Sequence, residues 1–415
     1  MKNKFLILVS HKKIFSEVGG IESMAKLFLK KSSLYGITSC VVYQGISLSK
    51  FVCYKLINSS QSLLDEKDDK KILSENMIIR YPFICYVIKE LFFSLIATFI
   101  IINIVKKARE KGYIPIIQAF DTGYGGLAAV LASEISNTPL LSLTHGSGQK
   151  YIKQITNNKL IHVLDYFIEK FVIENSVYLI CVNNESLNYW RIKGIEKTKL
   201  KLLRVPINIE VYKNDINYRN LIRAELNIDN DTFVIGYVGR LSPEKNIDIL
   251  INAFSKIINK KLLPINSKLI IIGDGLLMNS LKNLALKLGI KQNVIFPGFR
   301  SDVPIVMNGM DILVLPSSIE GNPTVVLEAM ATEIPVILSS IPAHKEIISH
   351  LQNGILFNGI NELIDDLLLV YQNKELLGRL CKTGREYINL NNNVDKIILE
   401  VLYLYDIAIS SKKSR

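Results

Sequence analysis

The sequence predicts an α/β protein made of two doubly wound, parallel-sheet domains. Short apolar runs rich in isoleucine and valine alternate with segments of helical period, as they do where βα units build parallel sheets. The chain has 415 residues, enough for two domains at about 100–200 residues each. A composition 49% hydrophobic and 21% charged is globular and excludes disordered and fibrous classes.

In the first half, residues 5–9 are five consecutive apolar residues, fewer than the ~7–15 of a signal-peptide core, and they read as a buried first strand. A helix over about 21–35, a strand over 38–43 and a polar stretch over 59–76 follow. The longest apolar run, residues 91–105, is interrupted by Ser94, Thr98 and Asn103 and closed by Lys106 and Lys107. Its 15 residues fall short of the ~20 that span a bilayer, so it reads as a buried or interfacial helix. Residues 114–118, 140–144 and 178–182 read as further strands.

The junction Arg204-Val205-Pro206-Ile207-Asn208 precedes a polar stretch to Asp231 and places a boundary near 206, giving domains over 1–205 and 206–390. In the second half, strand 233–238 leads to a helix with Ile247, Leu250, Ile251, Phe254, Ile257 and Ile258 on one face. Strand 268–272 leads to a helix with Leu277, Leu281, Leu284 and Leu288 inward and Gly289 at its end. Residues 294–296, 312–315, 336–338 and 355–357 continue the strand series, with a helix opening at Pro323. Helical period returns over 394–409, so residues 391–415 are expected to form a terminal helix packing back on the first domain.

Five cysteines are spread along the chain with no C-x-x-C pair, so neither a disulfide framework nor a zinc site is indicated, and a reducing cytoplasm fits. Charge is uneven. Residues 1–205 hold 28 Lys and Arg against 16 Asp and Glu, while residues 206–415 hold 22 of each. The first half therefore faces an anionic partner. With no basic run interleaved with aromatics, a membrane surface is expected rather than nucleic acid.

The segment from Ser317 to Ala331 carries the chemistry. Glu320 lies in a loop after strand 312–315, Asn322 is placed as the N-cap and Pro323 at the first helical position, and Glu328 sits more than a turn inside the helix. Amides at the helix start, around Asn322, Thr324 and Val325, suit phosphate, and the two carboxylates suit sugar hydroxyls, a combination fitting a nucleotide diphosphate sugar. An ordinary loop-to-helix transition with solvated glutamates is the alternative for an isolated pair. Glu328, however, lies among Val325, Val326, Leu327, Ala329 and Met330, where an unpaired carboxylate is costly.

Four ordered motifs, Gly239-Arg240-Leu241-Ser242-Pro243-Glu244-Lys245-Asn246, Ile272-Gly273-Asp274-Gly275, Glu320 to Ala331, and Asn353-Gly354-Ile355-Leu356-Phe357, together resemble the GT-B-fold retaining glycosyltransferases of family 4, or group 1. The resemblance covers roughly residues 230–360. It implies two Rossmann-like domains facing a cleft, the first binding acceptor and the second donor. It also implies that Arg240 and Lys245 grip the donor diphosphate, Glu320 contacts the donor sugar, Glu328 binds the ribose, and Gly273 and Gly275 line the donor site. Asn246 and Pro323 depart from the usual glycines.

In the first half, Gly19-Gly20 follows strand one and resembles the family's phosphate-approaching pair, or is a plain tight turn. Residues 121–126 resemble the family's loop after the fourth strand, or are a flexible connection. His145, before Gly146 at a strand end, resembles the family's sugar-contacting histidine, or is a structural hydrogen-bonder; His11 has no such support.

The implied function is transfer of a hexose-type sugar from a UDP- or GDP-sugar to a glycolipid, lipid-linked oligosaccharide or polysaccharide acceptor in cell-envelope glycan synthesis. Glu320, His145, Arg240 and Lys245 would be catalytic. No Asp-x-Asp pair stands at a strand end, so neither metal nor other cofactor is expected. The expected location is cytoplasmic, peripheral on the inner face of the membrane. Two alternatives are a nucleotide-sugar epimerase of related fold, lacking the segment from Glu320 to Ala331, and an inactive scaffold binding nucleotide sugar or membrane, which would have lost Arg240, Lys245 or Glu320.

Overall fold

The computed structural model describes residues 4–10, 27, 37–44, 52–57, 83–144 and 159–413. The chain divides into two compact units, Met1–Arg204 with Asp395–Arg415, and Val205–Val394. The expected helix over 21–35 and the polar stretch 59–76 lie outside the described residues, apart from the single position 27.

The first unit carries β1 (Lys4–Ser10), β2 (Thr38–Gln44), β3 (Val52–Ile57), β4 (Ile114–Ala119), β5 (Leu140–Thr144), β6 (Tyr178–Cys181) and β7 (Leu200–Leu202). They form one sheet in the order β3-β2-β1-β4-β5-β6-β7. It is parallel except for β3, which runs antiparallel to β2. All residues of β1 are buried between β2 and β4, which is why this strand reads as an unbroken apolar run.

Helices α1 (Phe83–Glu110), α2 (Tyr124–Ser136) and α3 (Lys159–Glu174) share one core layer with this sheet. Phe93, Ala97, Ile101 and Val105 of α1 pack with Ala128, Ala129 and Ala132 of α2, Ile168 and Val172 of α3, and Ile7, Val9 and Ile117 of the sheet. Two of the polar residues that interrupt the apolar run join helices: the Ser94 hydroxyl donates to the carbonyl of Tyr124 at 2.9 Å and that of Thr98 to Ala128 at 3.3 Å. Helix α4 (Asn184–Ile192), capped by Asn183 accepting from the Ser186 amide at 2.8 Å, buries Trp190 in a smaller core with Ile173, Leu179 and Leu200.

Two expectations change here. The apolar run is the middle of a 28-residue helix; over Glu90–Glu110 it is long and apolar enough to cross a membrane by length and composition, yet its inner face is committed to the core. Residues 121–123 are the loop after β4, and the expected loop ends there, because Tyr124, Gly125 and Gly126 already form the first turn of α2. Asp121 accepts from the amides of Gly123 at 3.1 Å and Gly126 at 3.3 Å, and a Cβ on Gly126 would lie 2.9 Å from Val172 of α3.

The second unit opens with α5 (Ile216–Glu225) and alternates β8 (Val234–Val238), α6 (Ile247–Asn259), β9 (Lys268–Ile272), α7 (Met278–Lys287), β10 (Val294–Gly298), α8 (Val303–Met307), β11 (Ile312–Leu315), α9 (Thr324–Ala331), β12 (Val336–Ser339), α10 (Pro342–Ile347), β13 (Ile355–Phe357), α11 (Ile360–Gln372) and α12 (Lys374–Asn391). Its six parallel strands are ordered β10-β9-β8-β11-β12-β13. Strand order reverses between β8 and β11, the point beyond whose carboxyl ends open α/β sheets bind ligands. Arg223 of α5 is fully buried; it pairs with Asp311 at 2.9 Å and donates to the carbonyls of Gly309, Asp229, Asn230 and Thr232. Of the leucines expected inward on α7, Leu281 is buried, and Leu277, Leu284 and Leu288 are half-buried around it.

Helix α13 (Val394–Lys413) belongs from Asp395 onward to the first unit. Asp406 pairs with buried Lys4 at 2.5 Å, the Tyr405 hydroxyl meets Gln118, and the Lys412 ammonium caps the end of α2 through the carbonyl of Thr138 at 3.0 Å. The terminal helix thus packs back on the first unit.

Candidate functional site

The site residues of the second unit gather at the carboxyl ends of its strands. After β8, Gly239 leads to Arg240, and the Tyr237 hydroxyl donates to the Arg240 carbonyl at 2.9 Å. After β9, Gly273 and Gly275 have φ of +136° and +155°. A Cβ on them would lie 1.8 Å from the Gly239 carbonyl oxygen and 2.4 Å from that of Leu241, so these glycines let one loop lie directly on the other. The Leu241 amide donates to Asp274 at 2.9 Å across the same seam.

A short turn, Pro243–Lys245, then delivers Lys245. Its ammonium lies 2.7 Å from Glu320 Oε1, which also accepts from the Ser317 hydroxyl at 2.7 Å. Both partners are mostly buried, with 18% of the Lys245 side chain and 9% of the Glu320 side chain exposed, so the pair is poorly screened. Glu244, by contrast, is bonded by the Ser242 hydroxyl at 2.5 Å. Arg240 is exposed and makes no ion pair among the described residues.

Helix α9 starts one residue later than expected: Pro323 is the N-cap, Thr324 is the first helical residue, and no side chain caps the turn. The Thr324 amide turns back to the Asn322 carbonyl at 2.9 Å and that of Val326 to Pro323 at 3.0 Å; among the described residues the Val325 amide has no acceptor, leaving an N–H of the first turn for an anion. Asn322 and Thr324 are half-buried beside it.

Glu328 lies on the second turn of α9. Protein crowded around its carboxyl pushes the pKa up to about 7, and the Tyr212 hydroxyl beside it pulls the other way. Tyr212 is held by Arg385 of α12, whose guanidinium donates to the carbonyls of Tyr212 at 2.5 Å, Ile209 at 3.0 Å, and Ala331 at the end of α9.

Of the expected residues, Lys245 and Glu320 are in direct contact, and Gly273 and Gly275 serve the packing of two loops. Glu328 sits apart, beside Tyr212. Gly19, Gly20, His11 and His145 lie outside the described residues; β5 is described to Thr144. Sequence reasoning missed Tyr212 and Arg385, which no spacing marks.

The family model described as "Glycosyl transferases group 1" matches residues 219–387. The UDP-Gal:alpha-D-GlcNAc-diphosphoundecaprenol alpha-1,3-galactosyltransferase of Escherichia coli is 31% identical over 282 residues, 66% of this chain and 71% of that protein. The capsular polysaccharide biosynthesis glycosyltransferase CapM of Staphylococcus aureus is 28% identical over 298 residues, 69% of this chain and 75% of that protein. Among solved structures, Anabaena HepE in complex with UDP superposes with a TM-score of 0.70 at 18% identity, covering 97% of this chain and 99% of that one.

Proposed function

Because this chain belongs to the group 1 glycosyltransferases and is a sugar-transferring enzyme of GT-B fold, we propose that it moves a hexose-type sugar from a uridine diphosphate sugar to a lipid-linked or polysaccharide acceptor of the cell envelope, with retention of anomeric configuration. The observation that carries the reading is the Lys245–Glu320–Ser317 contact at the switch point of the second sheet. A cation there meets the charge that develops on a departing diphosphate, and a carboxylate beside it meets the sugar. Arg240 adds a second cation and Glu328 a ribose acceptor. Uridine is favoured over guanosine by the donor in the E. coli relative's name and by the UDP held in HepE. The lipid-linked or polysaccharide acceptor is favoured by the names of the E. coli relative and CapM. The second unit binds donor and the first binds acceptor.

The first unit also docks on anionic lipid from the cytoplasmic side. Supporting this, Phe92, Leu95 and Phe99 on the outer side of α1, and Leu160, Val163, Phe167 and Phe171 on α3, are exposed large apolar side chains. Lys106 and Lys107 follow as exposed cations on α1. Because the inner side of α1 is packed under the sheet, the helix lies on lipid rather than crossing it.

The test is incubation of the purified chain with UDP-galactose, UDP-glucose or GDP-mannose and a membrane lipid extract. Product is read by mass spectrometry, its anomeric configuration by NMR, and every reaction is repeated with chelator. Transfer from a uridine donor with retention, undiminished by chelator, is expected. Inversion, exclusive use of the guanosine donor, or a requirement for added magnesium or manganese would each refute the matching part of the reading.

A further inference from the structure

Glu320 Oε1 has two donors, and only one of them stays when a donor substrate arrives: a diphosphate that recruits Lys245 leaves Ser317 alone to hold the carboxylate. What holds Ser317 is therefore part of the machinery. Ser317 is fully buried. Its carbonyl accepts from the hydroxyl of Ser339 at the end of β12. Ser339 is held in turn by His344 of α10, whose Nδ1 lies 2.7 Å from the Ser339 carbonyl oxygen and 3.3 Å from its hydroxyl.

A carbonyl only accepts, so Nδ1 carries the proton. The ring has no exposed surface, and among the described residues its Nε2 meets no hydrogen-bond partner. Burial lowers the His344 pKa, which keeps the ring neutral. A neutral imidazole in one fixed tautomer, donating inward to the strand that braces the Glu320 loop, is a strut rather than an acid or base.

We propose that His344 is a positioning residue for sugar transfer: through Ser339 and Ser317 it keeps Glu320 aimed while Lys245 moves to the donor diphosphate. This rests on the reading of Glu320 as the residue facing the donor sugar. The strut acts on the geometry of the reacting centre and not on nucleotide affinity. A displaced carboxylate lowers turnover, where a misplacement near 1 Å costs on the order of 100-fold.

The experiment compares His344→Phe, His344→Asn and Ser317→Ala with the parent chain, all checked for unchanged thermal midpoint. UDP binding is measured by calorimetry, and kcat and KM by UDP release from UDP-galactose or UDP-glucose with membrane lipid extract. His344→Phe, which keeps a ring and loses the donor, is expected to lower kcat by about 10- to 100-fold, with KM and UDP affinity within about threefold of the parent. His344→Asn, whose amide can replace Nδ1–H, restores most of the turnover. Ser317→Ala breaks the same strut from the other end, gives the same pattern, and adds little to His344→Phe in the double variant. Glu320→Gln, measured alongside, separates the two readings. If it keeps its turnover, the reading of Glu320 falls; if it loses turnover while His344→Phe and Ser317→Ala keep theirs, the strut alone is overturned. Independently of any donor, ring nitrogen spectra of labelled protein must show His344 neutral and protonated at Nδ1 at pH 7, and an Nε2–H tautomer or a charged ring overturns the inference.

Discussion

Glu328→Gln preserves the shape of a side chain and removes its ionisation, and we predict that it makes the second unit more stable at high pH while weakening nucleotide binding. The carboxyl is pushed from 4.5 to about 7 by burial, the Tyr212 hydroxyl offsetting part of this. The folded-state pKa is thus above the unfolded one. The folded state holds the proton more tightly, so the stabilisation is full below about pH 4.5 and is lost as pH rises through 7. The gap between these values corresponds to about 3 kcal/mol. For a unit of this size that is about 6–12 °C in Tm. Calorimetric scans from pH 5 to pH 8 should show the variant gaining on the parent chain as pH rises, by up to that amount. Tyr212→Phe should move the parent's loss to higher pH. UDP titration at pH 8 should show weaker binding to Glu328→Gln, because the carboxylate proposed to bind the ribose is gone. A gap in Tm that does not change with pH, or one that moves towards the parent chain, would refute the reasoning.

Arg240→Ala and Lys245→Ala should each leave the fold intact and lower transfer by the equivalent of about 2–4 kcal/mol in the transition state; near-parental turnover in both, measured by UDP release, would remove them from the donor site. Glu320→Gln should bind UDP more tightly than the parent chain, because the 2.7 Å contact that occupies Lys245 is weakened, and should turn over more slowly; calorimetry showing unchanged or weaker UDP binding counts against competition for Lys245. The chain should sediment with anionic liposomes at low salt and be released by salt, each basic group contributing about 1 kcal/mol. Charge reversal of Lys106 and Lys107, or Phe99→Ser with Phe167→Ser, should reduce that binding, and indifference to anionic liposomes would favour a soluble acceptor.

Much of the fold was legible because parallel strands buried on both sides leave unbroken apolar runs, as in β1, β9 and β11. Strand β3 escaped because it is an edge strand running antiparallel to β2, with Tyr54 and Lys55 breaking its apolar sequence. Helix α2 escaped because Gly123, Gly125 and Gly126 read as a loop, whereas its small residues are what lets α1 and α3 approach it. At the site, residue types and spacing marked Arg240, Lys245, Glu320 and Glu328. Contacts were not marked: Lys245 and Glu320 are 75 positions apart, and Arg385 reaches Tyr212 across 173. His344 carries no spacing signal, and its contacts with Ser339 form only when β12 and α10 are brought together.

The departure at Asn246 shows how the site tolerates change where the resemblance asks for glycine. Asn246 has φ 47° and ψ 41°, the left-handed conformation that glycine adopts freely and asparagine better than most other residues. Its side chain also does what glycine cannot, donating to the Pro316 carbonyl at 3.2 Å. That bond joins the loop after β8 to the loop after β11, as do the Ser318 amide on the Glu244 carbonyl at 2.9 Å and the Lys245–Glu320 pair. At a switch point, adjacent strands send their loops to opposite sides of the sheet and leave a crevice between them. With the Ser318 hydroxyl on the same Glu244 carbonyl at 3.1 Å, these cross-loop bonds at its base fix the cation and the carboxylate relative to each other before any substrate arrives. In the proposed exchange of Glu320 for a diphosphate on Lys245, the other cross-loop bonds persist, so the loops keep their spacing and the exchange needs the movement of one side chain rather than of a loop. Asn246 therefore adds to preorganisation at the position where the family's glycine supplies only conformational freedom.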